Sequence, residues 1–372
     1  MKPVVAIVLP PREGFAPGDT GAIGLLVHRL SGFPGRFRPV VLGMKRQDPF
    51  AGVDYIATPP AWLPMKLSSR YAHAVAHRLA LLQPALVEVH NRPDIALILA
   101  NRLRHIPVCL HLHNDPLGMR ALPTPRARAQ LLASLARVVT VSDYLRQRLL
   151  QGLPPPERHP AVLPNCLDLR QIPPSPPERE PTILFAGRVV ADKGADSFVT
   201  AAGAALRALP AWSAVIIGAD RFGPDSPETP WLRELRPKAA VAGVAMLGYQ
   251  PHDAVLAAMA RAAIVVVPSR WAEPFGLTAL EAMAAGAALL CSRSGGLREI
   301  CDGIGEAIDP ENPAAMADSI IALARDPAHR AAIGAAGRER ALRFDLPAAA
   351  ARLDALRQDV LGAWQHPPAR PI

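Results

Sequence analysis

Residues 264–286 read IVVVPSRWAEPFGLTALEAMAAG, and this stretch contains a strand, a loop and a helix in immediate succession. The apolar run at 264–267 is rich in β-branched residues, which predicts a buried strand. Apolar residues at helical spacing over 277–285 predict a helix, and Gly286 is a typical residue at a helix C-terminus. A strand followed by a helix is the repeating unit of parallel α/β sheets, which bind ligands at the carboxyl ends of their strands.

Strand and helix alternate in the same way along both halves of the chain. Strands are predicted at 4–9, 39–42, 86–90, 108–113, 138–141 and 161–163, and then at 182–186, 213–217, 244–247, 264–267 and 288–291. Helices are predicted at 21–30, 69–82, 95–104, 126–135, 144–151, 196–208, 252–260, 277–285, 314–324 and 347–361. Two halves of similar size and pattern predict an α/β fold with two Rossmann-like domains facing across a cleft.

Residues 171–181, QIPPSPPEREP, are the stretch richest in proline and charge. Such a stretch continues neither a helix nor a central strand, so it is predicted to be a linker between domains. We therefore expect an N-terminal domain over 1–170 and a C-terminal domain over 182–345. The last segment, 346–372, holds a helix that we expect to cross back to the N-terminal domain.

The composition limits the classes of protein to consider. Of the 372 residues 50% are hydrophobic, and the net charge is +9. This charge suits nucleic acid, an anionic membrane surface or a phosphorylated substrate, whereas only 5% aromatic residues disfavour a base-stacking platform for single strands. The four cysteines lack zinc-binding spacing, which predicts reduced thiols. No apolar stretch reaches the ~20 residues of a membrane span, so we expect a soluble or peripheral protein.

A second chemical motif follows the predicted strand at 182–186, where residues 185–194 read FAGRVVADKG. Gly187 permits a turn at the carboxyl end of the strand. Arg188 offers a planar fork of hydrogen-bond donors and Lys193 a mobile charge, and together they suit a diphosphate. A surface salt-bridge pair on a loop is the alternative, and these residues by themselves fit both interpretations.

Two glutamates mark the loop and the helix of the opening stretch. Glu273 precedes the helix, and Glu281 lies in its second turn, on the face of Leu277 and Thr278. A carboxylate there can accept two hydrogen bonds from a vicinal diol such as a ribose, and the helix N-terminus at Gly276 favours an anion. The alternative is a capping carboxylate with an exposed helix glutamate. Because Glu281 interrupts an apolar helix, it is costly unless a polar group meets it, which favours a functional site.

These motifs resemble those of the retaining GT-B glycosyltransferases of the large bacterial family 4. The resemblance lies in EPFGLTALE at 273–281 and in the GR…DKG pattern at 187–194. It extends to VLPNCLD (162–168), VVTVSDYLRQRL (138–149) and SGGLREI (294–300). It implies the GT-B fold and the transfer of a sugar, expected to be a hexose, from a nucleotide diphosphate sugar to an acceptor hydroxyl.

The resemblance also implies roles for residues at the matching positions. Arg188 and Lys193 are implied to hold the pyrophosphate of the donor, Glu281 to bind its ribose, and Glu273 to lie beside its sugar. The implied catalytic residues are His113, Glu273, Arg188 and Lys193, and the implied donor contacts further include Gly21, Gly187, Phe275, Gly276, Leu277 and Glu281. Retention of configuration is implied in the same way, and these enzymes are expected to need no metal and no other cofactor.

The predicted strand at 108–113 carries His111 and His113 on one face and is followed by Asp115. A metal site is one interpretation, although three ligands from one strand end seldom suffice. A core histidine with its hydrogen bonds satisfied is the usual fate of a residue such as His111. His113, at the carboxyl end, matches the family's histidine at the reaction centre, so the resemblance assigns the reaction to His113 and a structural role to His111.

Two further segments are candidates for the acceptor side. In GFAPGDTG (14–21) the family usually has a glycine pair where this chain has Thr20 and Gly21, and Asp19 is either an acceptor contact or, as its type favours, the N-cap of the next helix. In VEVHNRPD (87–94), three polar residues stand where another strand ends. The acceptor-side candidates are Asp19, Thr20, His90, Asn91 and Arg92. Similar segments in bacterial cell-envelope members of the family imply a glycan or lipid-linked acceptor.

Basic residues also gather at 66–78 and at 120–148, where six arginines stand with one acid. A solvated helix face is one interpretation, and docking to an anionic lipid surface is the other. With the resemblance, this leads us to expect a cytoplasmic enzyme of polysaccharide, lipopolysaccharide or glycolipid synthesis, peripheral on the inner face of the plasma membrane. The alternatives are a nucleotide-sugar phosphorylase or epimerase of the same fold and a nucleic-acid-binding protein. The pair of glutamates argues against the last, so no nucleic-acid partner is expected.

Overall fold

The computed structural model describes residues 1–62, 64–221 and 228–364. The chain divides into two compact units, one formed by Met1–Cys166 with the segment from Leu346 onward, the other by Leu167–Asp345. Residues 171–181 therefore belong to the second unit, although their composition predicts a linker. The end of the predicted segment 346–372 lies, from residue 365 onward, outside the described residues.

The strands are short and match the apolar runs of the sequence. They are β1 (Val4–Val8), β2 (Phe15–Ala16), β3 (Asp19–Thr20), β4 (Arg38–Gly43), β5 (Asp54–Ala57), β6 (Leu86–His90), β7 (Val108–Leu112), β8 (Arg137–Thr140), β9 (Ala161–Val162), β10 (Glu180–Ala186), β11 (Ser213–Ile217), β12 (Val244–Met246), β13 (Ala262–Val267), β14 (Ala288–Cys291) and β15 (Glu306–Ala307).

The helices alternate with these strands along the chain. They are α1 (Ala22–Gly32), α2 (Leu67–Leu82), α3 (Pro93–Arg102), α4 (Pro125–Ser134), α5 (Asp143–Leu150), α6 (Ala195–Ala208), α7 (Pro230–Val241), α8 (His252–Arg261), α9 (Leu277–Ala285), α10 (Leu297–Cys301), α11 (Pro313–Arg325), α12 (Pro327–Ala341) and α13 (Leu346–Trp364). Short 3-10 helices lie at Pro116–Gly118, Leu169–Gln171, Ala191–Lys193 and Leu342–Phe344.

The first unit is built on a parallel sheet with the strand order β5-β4-β1-β6-β7-β8-β9. Helices α2 to α5 pack on one face through buried residues such as Tyr71 and Leu99. Helices α1 and α13 cover the other face, where Val27 and Val360 meet the side chains of β1, β4, β6 and β7. The carboxyl ends of β6 and β7 thus lie side by side at one edge of the sheet.

The second unit repeats this arrangement with a parallel sheet in the order β12-β11-β10-β13-β14-β15. Its core joins α6, α7, α11 and α12 to one face through residues such as Phe198, Leu235 and Ile320. Strands β10 and β13 are neighbours, so the two motif-bearing loops that follow them leave the same edge of the sheet. Two parallel sheets of this kind confirm the predicted α/β fold.

Several predicted elements have the observed bounds, among them Leu86–His90, Ser213–Ile217, Leu277–Ala285 and Ala288–Cys291. The sequence prediction missed α7, which contains Pro237, and α12, in which arginines and glycines interrupt the apolar pattern. It also missed the partly exposed strand β5 at the sheet edge. Apolar periodicity is therefore reliable here where both faces are buried and weak where an element is half exposed.

Arg179 explains why the proline-rich stretch 171–181 is held by the second unit. Its guanidinium donates to the carbonyl oxygens of Ala260 and Ala262, both at 2.9 Å, and of Ala285 at 2.5 Å. These carbonyls lie at the C-terminal ends of α8 and α9, where backbone oxygens lack partners within the helix.

A buried ion pair joins α13 to the middle of the first sheet. Arg357 Nε and Nη2 donate to Glu88 Oε1 and Oε2, each at 2.8 Å, and both residues are buried. Burial alone raises the pKa of Glu88, but the charge and hydrogen bonds of Arg357 outweigh this effect and lower it. The pair thus fixes the last helix onto a strand that lies 269 residues earlier in the chain.

We expect Arg357→Met to destabilise the first unit by about 3–5 kcal/mol, because the variant leaves the carboxylate of Glu88 buried without a partner. The double variant Glu88→Leu/Arg357→Leu should recover most of this loss, since it removes both charges and keeps apolar volume. Urea unfolding of the three proteins measures these differences. A single variant as stable as the wild type would show that the pair does not hold the helix.

Candidate functional site

In the second unit, the loop after β10 approaches a neighbouring strand end very closely. Gly187 has a φ of 138°, a backbone conformation that favours glycine. A Cβ atom on Gly218, which follows β11, would lie 1.8 Å from the carbonyl oxygen of Gly187. The two glycines therefore allow two loops to share the sheet edge without side chains between them.

The loop after β10 is also bonded to the loop after β13. The backbone N–H groups of Arg270 and Trp271 donate to the carbonyl oxygen of Asp192, at 2.9 and 3.2 Å. Gly194 has a φ of 70°, and a Cβ atom there would lie 2.0 Å from the carbonyl oxygen of Pro268. The two motifs singled out in the sequence thus form one continuous backbone surface.

Arg270 stabilises this junction and was not singled out in the sequence. Its Nη1 donates to Asp196 Oδ1 at 2.6 Å, and its Nε donates to Glu311 Oε1 at 2.7 Å. Hydrogen bonding to Asp196 raises the pKa of Arg270, so the guanidinium stays charged. Its role is to hold the two loops in place.

Glu273 and Lys193 meet where the two loops join. Glu273 is buried, and its Oε1 accepts hydrogen bonds from Lys193 Nζ and, at 2.6 Å, from Ser269 Oγ. Lys193 Nζ lies 5.6 Å from the centroid of the Trp271 ring. The lysine charge is therefore balanced by a carboxylate in this structure and is not free.

Arg188 is different from Lys193. Its side chain is half-buried, and it has no hydrogen-bond or ion-pair partner within the residues that the structure describes. It directly follows Gly187 at the carboxyl end of β10. An arginine in this position is able to bind an anion without first breaking a salt bridge, as the sequence interpretation requires.

Glu281 has a partner that the sequence did not reveal. Its Oε1 lies 2.7 Å from His252 Nε2, at the start of α8, and its side chain is only 12% exposed. His252 therefore offsets at least part of the cost of burying the Glu281 carboxylate. That cost was the reason to expect a functional site here, so the argument for a bound ligand is weaker than the sequence suggested. One carboxylate oxygen, Oε1, is engaged with His252, so the pair presents an imidazole beside a carboxylate.

Helix α9 starts without a side-chain cap, so its first backbone N–H groups depend on other acceptors. Gly276 has a φ of 111°, and a Cβ atom there would lie 2.4 Å from Leu297 Cδ2. Phe275 is buried, with its ring 5.9 Å from that of Phe344. The side chain of Phe275 is thus packed inside the second unit, and Gly276 offers only its backbone.

In the first unit, three histidines form a stack at the ends of β6 and β7. His90 Nδ1 lies 2.9 Å from His113 Nε2, and these two rings are stacked at 5.2 Å between centroids. The ring of His90 also stacks on His111 at 4.8 Å. Burial lowers the pKa of all three imidazoles, that of His113 to about 3, so they are uncharged at neutral pH.

Asn91 continues this cluster in an unusual backbone conformation, with a φ of 54°. Its side-chain Oδ1 accepts from the N–H of His113 at 3.2 Å, and its own N–H donates to the carbonyl oxygen of His111 at 2.7 Å. Arg92 donates to the carbonyl oxygen of Asn91 at 3.1 Å. The structure therefore brings His90 and Asn91 together with His113.

The residues of the alternative metal interpretation, His111, His113 and Asp115, do not form a metal site. Asp115 Oδ2 accepts from Arg148 Nε at 2.9 Å and its Oδ1 from the N–H of Leu117 at 3.0 Å. Over the described ranges, no group of three or more His, Cys, Asp or Glu residues is able to hold a metal ion. His111 is a core residue, as predicted, but among the described residues its Nε2 has no hydrogen-bond partner and lies 3.9 Å from Glu88 Oε1, so the prediction that its hydrogen bonds are satisfied is wrong at this atom.

The start of α1 differs from the sequence prediction. The N-cap is Gly21, and Glu13 Oε1 accepts from the N–H groups of Gly21 and Gly24 at 3.0 and 2.9 Å. Asp19 instead pairs with Arg46 at 3.2 Å, so its assignment as the N-cap is wrong. Thr20 bonds locally to Gly14. Burial raises the pKa of Glu13, and the amide of Gly21, a predicted donor contact, is engaged by this carboxylate.

Most arginines of the stretch 120–148 have partners within the unit. Arg128 is buried, and three others pair with acids: Arg137 with Asp359, Arg146 with Asp143 and Arg148 with Asp115. This stretch is therefore not a free basic face. None of the helices in the described part of the chain is long and apolar enough to cross a membrane.

Solved structures similar to this one identify the class of fold. Sucrose-phosphate synthase from Thermosynechococcus elongatus matches with a TM-score of 0.78 at 19% identity, over 97% of this chain and 100% of that one. Anabaena HepE, solved in complex with UDP and glucose, matches with a TM-score of 0.76 at 18% identity, over 95% and 99%. The fold is GT-B, as the sequence resemblance implied.

Family models identify the relationship more closely. The model of glycosyl transferases group 1 matches residues 170–340, and that of Glycosyltransferase Family 4 matches residues 27–171. Each match covers less than half of the chain, and together they assign residues 27–340 to two glycosyltransferase domains.

Curated relatives agree with this assignment. D-inositol 3-phosphate glycosyltransferase from Xylanimonas cellulosilytica is 37% identical over 200 residues, 52% of this chain and 45% of the relative. GDP-mannose-dependent alpha-(1-6)-phosphatidylinositol monomannoside mannosyltransferase from Mycobacterium tuberculosis is 30% identical over 251 residues, 61% of this chain and 63% of the relative. The matches thus span less than two thirds of the length of these relatives.

The histidine stack predicts how stability depends on pH. An unfolded histidine binds a proton near pH 6.5, whereas the buried rings stay neutral, so protons favour the unfolded state below this pH. The free energy of unfolding should fall as pH decreases from 6.5, by up to about 1.4 kcal/mol per histidine per pH unit. Urea unfolding at a series of pH values measures the slope. His113→Asn should reduce this slope, whereas the exposed control His105→Asn should not.

Proposed function

We propose that the protein is a glycosyltransferase that moves a sugar, a hexose in our proposal, from a nucleotide diphosphate sugar to an acceptor hydroxyl. The observation that carries this proposal is the edge of the second sheet. There, the Lys193–Glu273 pair, the uncapped N-terminus of α9 and the half-buried Arg188, which has no partner among the described residues, follow two adjacent parallel strands. Cations and free backbone N–H groups at such an edge are the chemistry that binds a diphosphate.

Arg188 and Lys193 stabilise the charge that develops on the departing diphosphate. Charge-assisted bonds placed in advance act most strongly in the transition state, where this charge is largest. Lys193 shares its charge with Glu273 in this structure, so a bound diphosphate competes with that carboxylate for the ammonium group. In the proposed site Gly187 gives the phosphates close access, and the backbone of Phe275, Gly276 and Leu277 supplies donors.

Glu281, with His252 beside it, binds the hydroxyls of the ribose, and Glu273 lies beside the donor sugar. His113 acts at the reacting sugar, and Gly21 contributes to the donor site once its amide is released by Glu13. In the reaction, the bond from the anomeric carbon to the diphosphate oxygen breaks and a bond to the acceptor oxygen forms on the same face. The acceptor proton passes to the leaving phosphate oxygen, so configuration is retained, and no metal is required.

The proposed acceptor is a glycan or a lipid-linked sugar of the cell envelope. The mannosyltransferase relative from Mycobacterium tuberculosis is named for a phosphatidylinositol mannoside acceptor, which supports this class. The acceptor-side residues in the proposal are those that follow β6, namely His90, Asn91 and Arg92, together with Asp19 and Thr20. Of these, His90 and Asn91 are bonded to His113, so they lie beside the proposed reaction centre.

An anionic membrane surface is the proposed partner of the first unit, on the cytoplasmic side. Four large apolar residues on or just before α2 are exposed: Trp62, at 93%, Met65 and Leu67 near its start, and Leu81 in its last turn. Residues 55–87 contain no acid but carry Lys66, Arg70, His73, His77 and Arg78. Aromatic and aliphatic side chains among cations are the composition of a surface that rests in a lipid headgroup layer.

The donor site predicts which nucleotides bind and which variants lose them. Among UDP, GDP and ADP, we expect one to raise the melting temperature clearly more than the others. Arg188→Ala should weaken the binding of that nucleotide by about tenfold or more, because a charge-assisted hydrogen bond contributes about 1.5–3 kcal/mol. Glu281→Ala should also weaken the binding of the nucleotide, because it removes the hydrogen bonds to the ribose. Lys193→Met should lower turnover as well as nucleotide binding. Calorimetric titration and an assay for released nucleotide measure these effects.

Matched control variants on α7 separate site effects from general effects. Arg233→Ala, Glu234→Ala and Lys238→Met change exposed residues of the same types and should leave binding and turnover unchanged. If Arg188→Ala and Glu281→Ala, as single variants, both bound the nucleotide with wild-type affinity, the proposed donor site would be refuted. Turnover of a nucleotide sugar without any acceptor would indicate a phosphorylase or epimerase instead.

The membrane proposal has its own test with vesicles. The protein should sediment with vesicles of phosphatidylcholine and phosphatidylglycerol but not with phosphatidylcholine alone, and salt should weaken this binding. Trp62→Ala/Lys66→Ala should reduce it about fivefold or more, since it removes an interfacial aromatic ring and a charge worth about 1 kcal/mol. Val241→Ser, at a residue of the second unit that is 92% exposed, is the control. Equal binding of both proteins would overturn the assignment to α2.

A further inference from the structure

Four titratable side chains form a file on one face of β6 and β7, inside the first unit. Glu88 and His90 alternate on β6, and His111 and His113 alternate on β7, with His90 opposite His111 in the register of the two strands. Such a face is normally apolar in a buried parallel sheet. The file runs from the Glu88–Arg357 pair in the core to His113 at the carboxyl edge.

The hydrogen bond between His90 and His113 couples the protonation of the two rings. Nδ1 of His90 and Nε2 of His113 lie 2.9 Å apart, and in two neutral imidazoles one proton lies between these two nitrogens. Whichever ring donates, the tautomer of His113 is set by that of His90. The Nδ1 atom of His113 is therefore left as a defined donor or acceptor, and stacking at 5.2 Å holds the ring plane.

The surroundings keep both rings uncharged. The titratable groups that face them are Glu88 from β6, Cys109 and His111 from β7, and Arg357 from α13. Glu88 is the one carboxylate in this set, and its charge is matched by the guanidinium of Arg357 at 2.8 Å. Burial, the neighbouring histidines and Arg357 all act against a second positive charge, and they lower the pKa of His90.

We propose that His90 is a positioning residue that fixes the tautomer and ring orientation of His113, so that His113 meets the substrate as a neutral hydrogen-bonding group. The inference rests on the proposed role of His113 in sugar transfer. It adds that His113 does not serve as a charged acid and that its function depends on a neighbour which itself need not touch the substrate. The Glu88–Arg357 pair supports this arrangement from the core.

The first experiment reads the rings of the wild-type protein directly, without substrate. Nitrogen NMR of histidine-labelled protein between about pH 5.5 and 8 should show His90 and His113 as single neutral tautomers throughout. A through-bond coupling between His90 Nδ1 and His113 Nε2 should report the hydrogen bond. Signals that titrate near pH 6.5, the ordinary value for histidine, or a missing coupling would overturn the inference, whatever the enzyme does.

The second experiment tests the consequence for turnover with two variants of His90. His90→Phe keeps a stacking ring but removes the hydrogen bond, and we expect kcat to fall about tenfold or more with donor KM changed less than about twofold. His90→Asn places an amide near the position of Nδ1 and should recover much of this loss. His105→Phe, at an exposed position, is the control and should leave kcat unchanged.

The outcomes separate the inference from the proposed function. If no nucleotide sugar is turned over, the proposed function fails, while the NMR result on the resting protein still decides whether His90 fixes His113. If transfer occurs and His90→Phe retains wild-type kcat and pH profile, the positioning role is refuted. A large loss in His90→Phe with recovery in His90→Asn supports it, because a purely structural role would not distinguish the two replacements in this way.

Discussion

The bidentate contact between Arg357 and Glu88 is the constraint on which the first unit depends. It places a charged pair in the middle of a buried sheet, and it attaches the last helix to the face that carries the histidines. An isolated carboxylate in that position would be very costly to bury or would take up a proton. Because the pair is matched, the file of polar groups beside it remains buried and neutral up to the sheet edge.

The second unit reaches its site by a different device, close approach of backbone. At Gly194 and Gly218, the carbonyl oxygen of a neighbouring loop lies so close that any side chain would collide with it. Arg270 also bonds the loop after β13 to Asp196 at the start of α6. The result is a junction in which Lys193 is held by Glu273, while Arg188 has no partner in the part of the chain that the structure describes. The two cations of one motif therefore start from different states, one paired and one ready for an anion.

The sequence predicted those features that depend on neighbouring residues along the chain. The strand, loop and helix of 264–286 and the turn at Gly187 are local, so spacing and residue type suffice to predict them. What it missed joins distant parts: His252 with Glu281 across 29 residues, Asp196 with Arg270 across 74, and Glu88 with Arg357 across 269. The contact of Glu13 with the start of α1 was missed for a similar reason, because it is the hairpin of β2 and β3 that brings Gly21 back to Glu13.

The division of the chain into two units affects the order in which they fold during synthesis. The second unit is one continuous segment, whereas the first is completed only by residues that follow it. During synthesis at about 5–20 residues per second, Glu88 waits roughly 13–54 s for Arg357, 269 residues later. Until then its carboxylate has no buried partner, and the face of the sheet that α13 covers stays open to solvent. The unit that emerges before the second unit is thus completed after it.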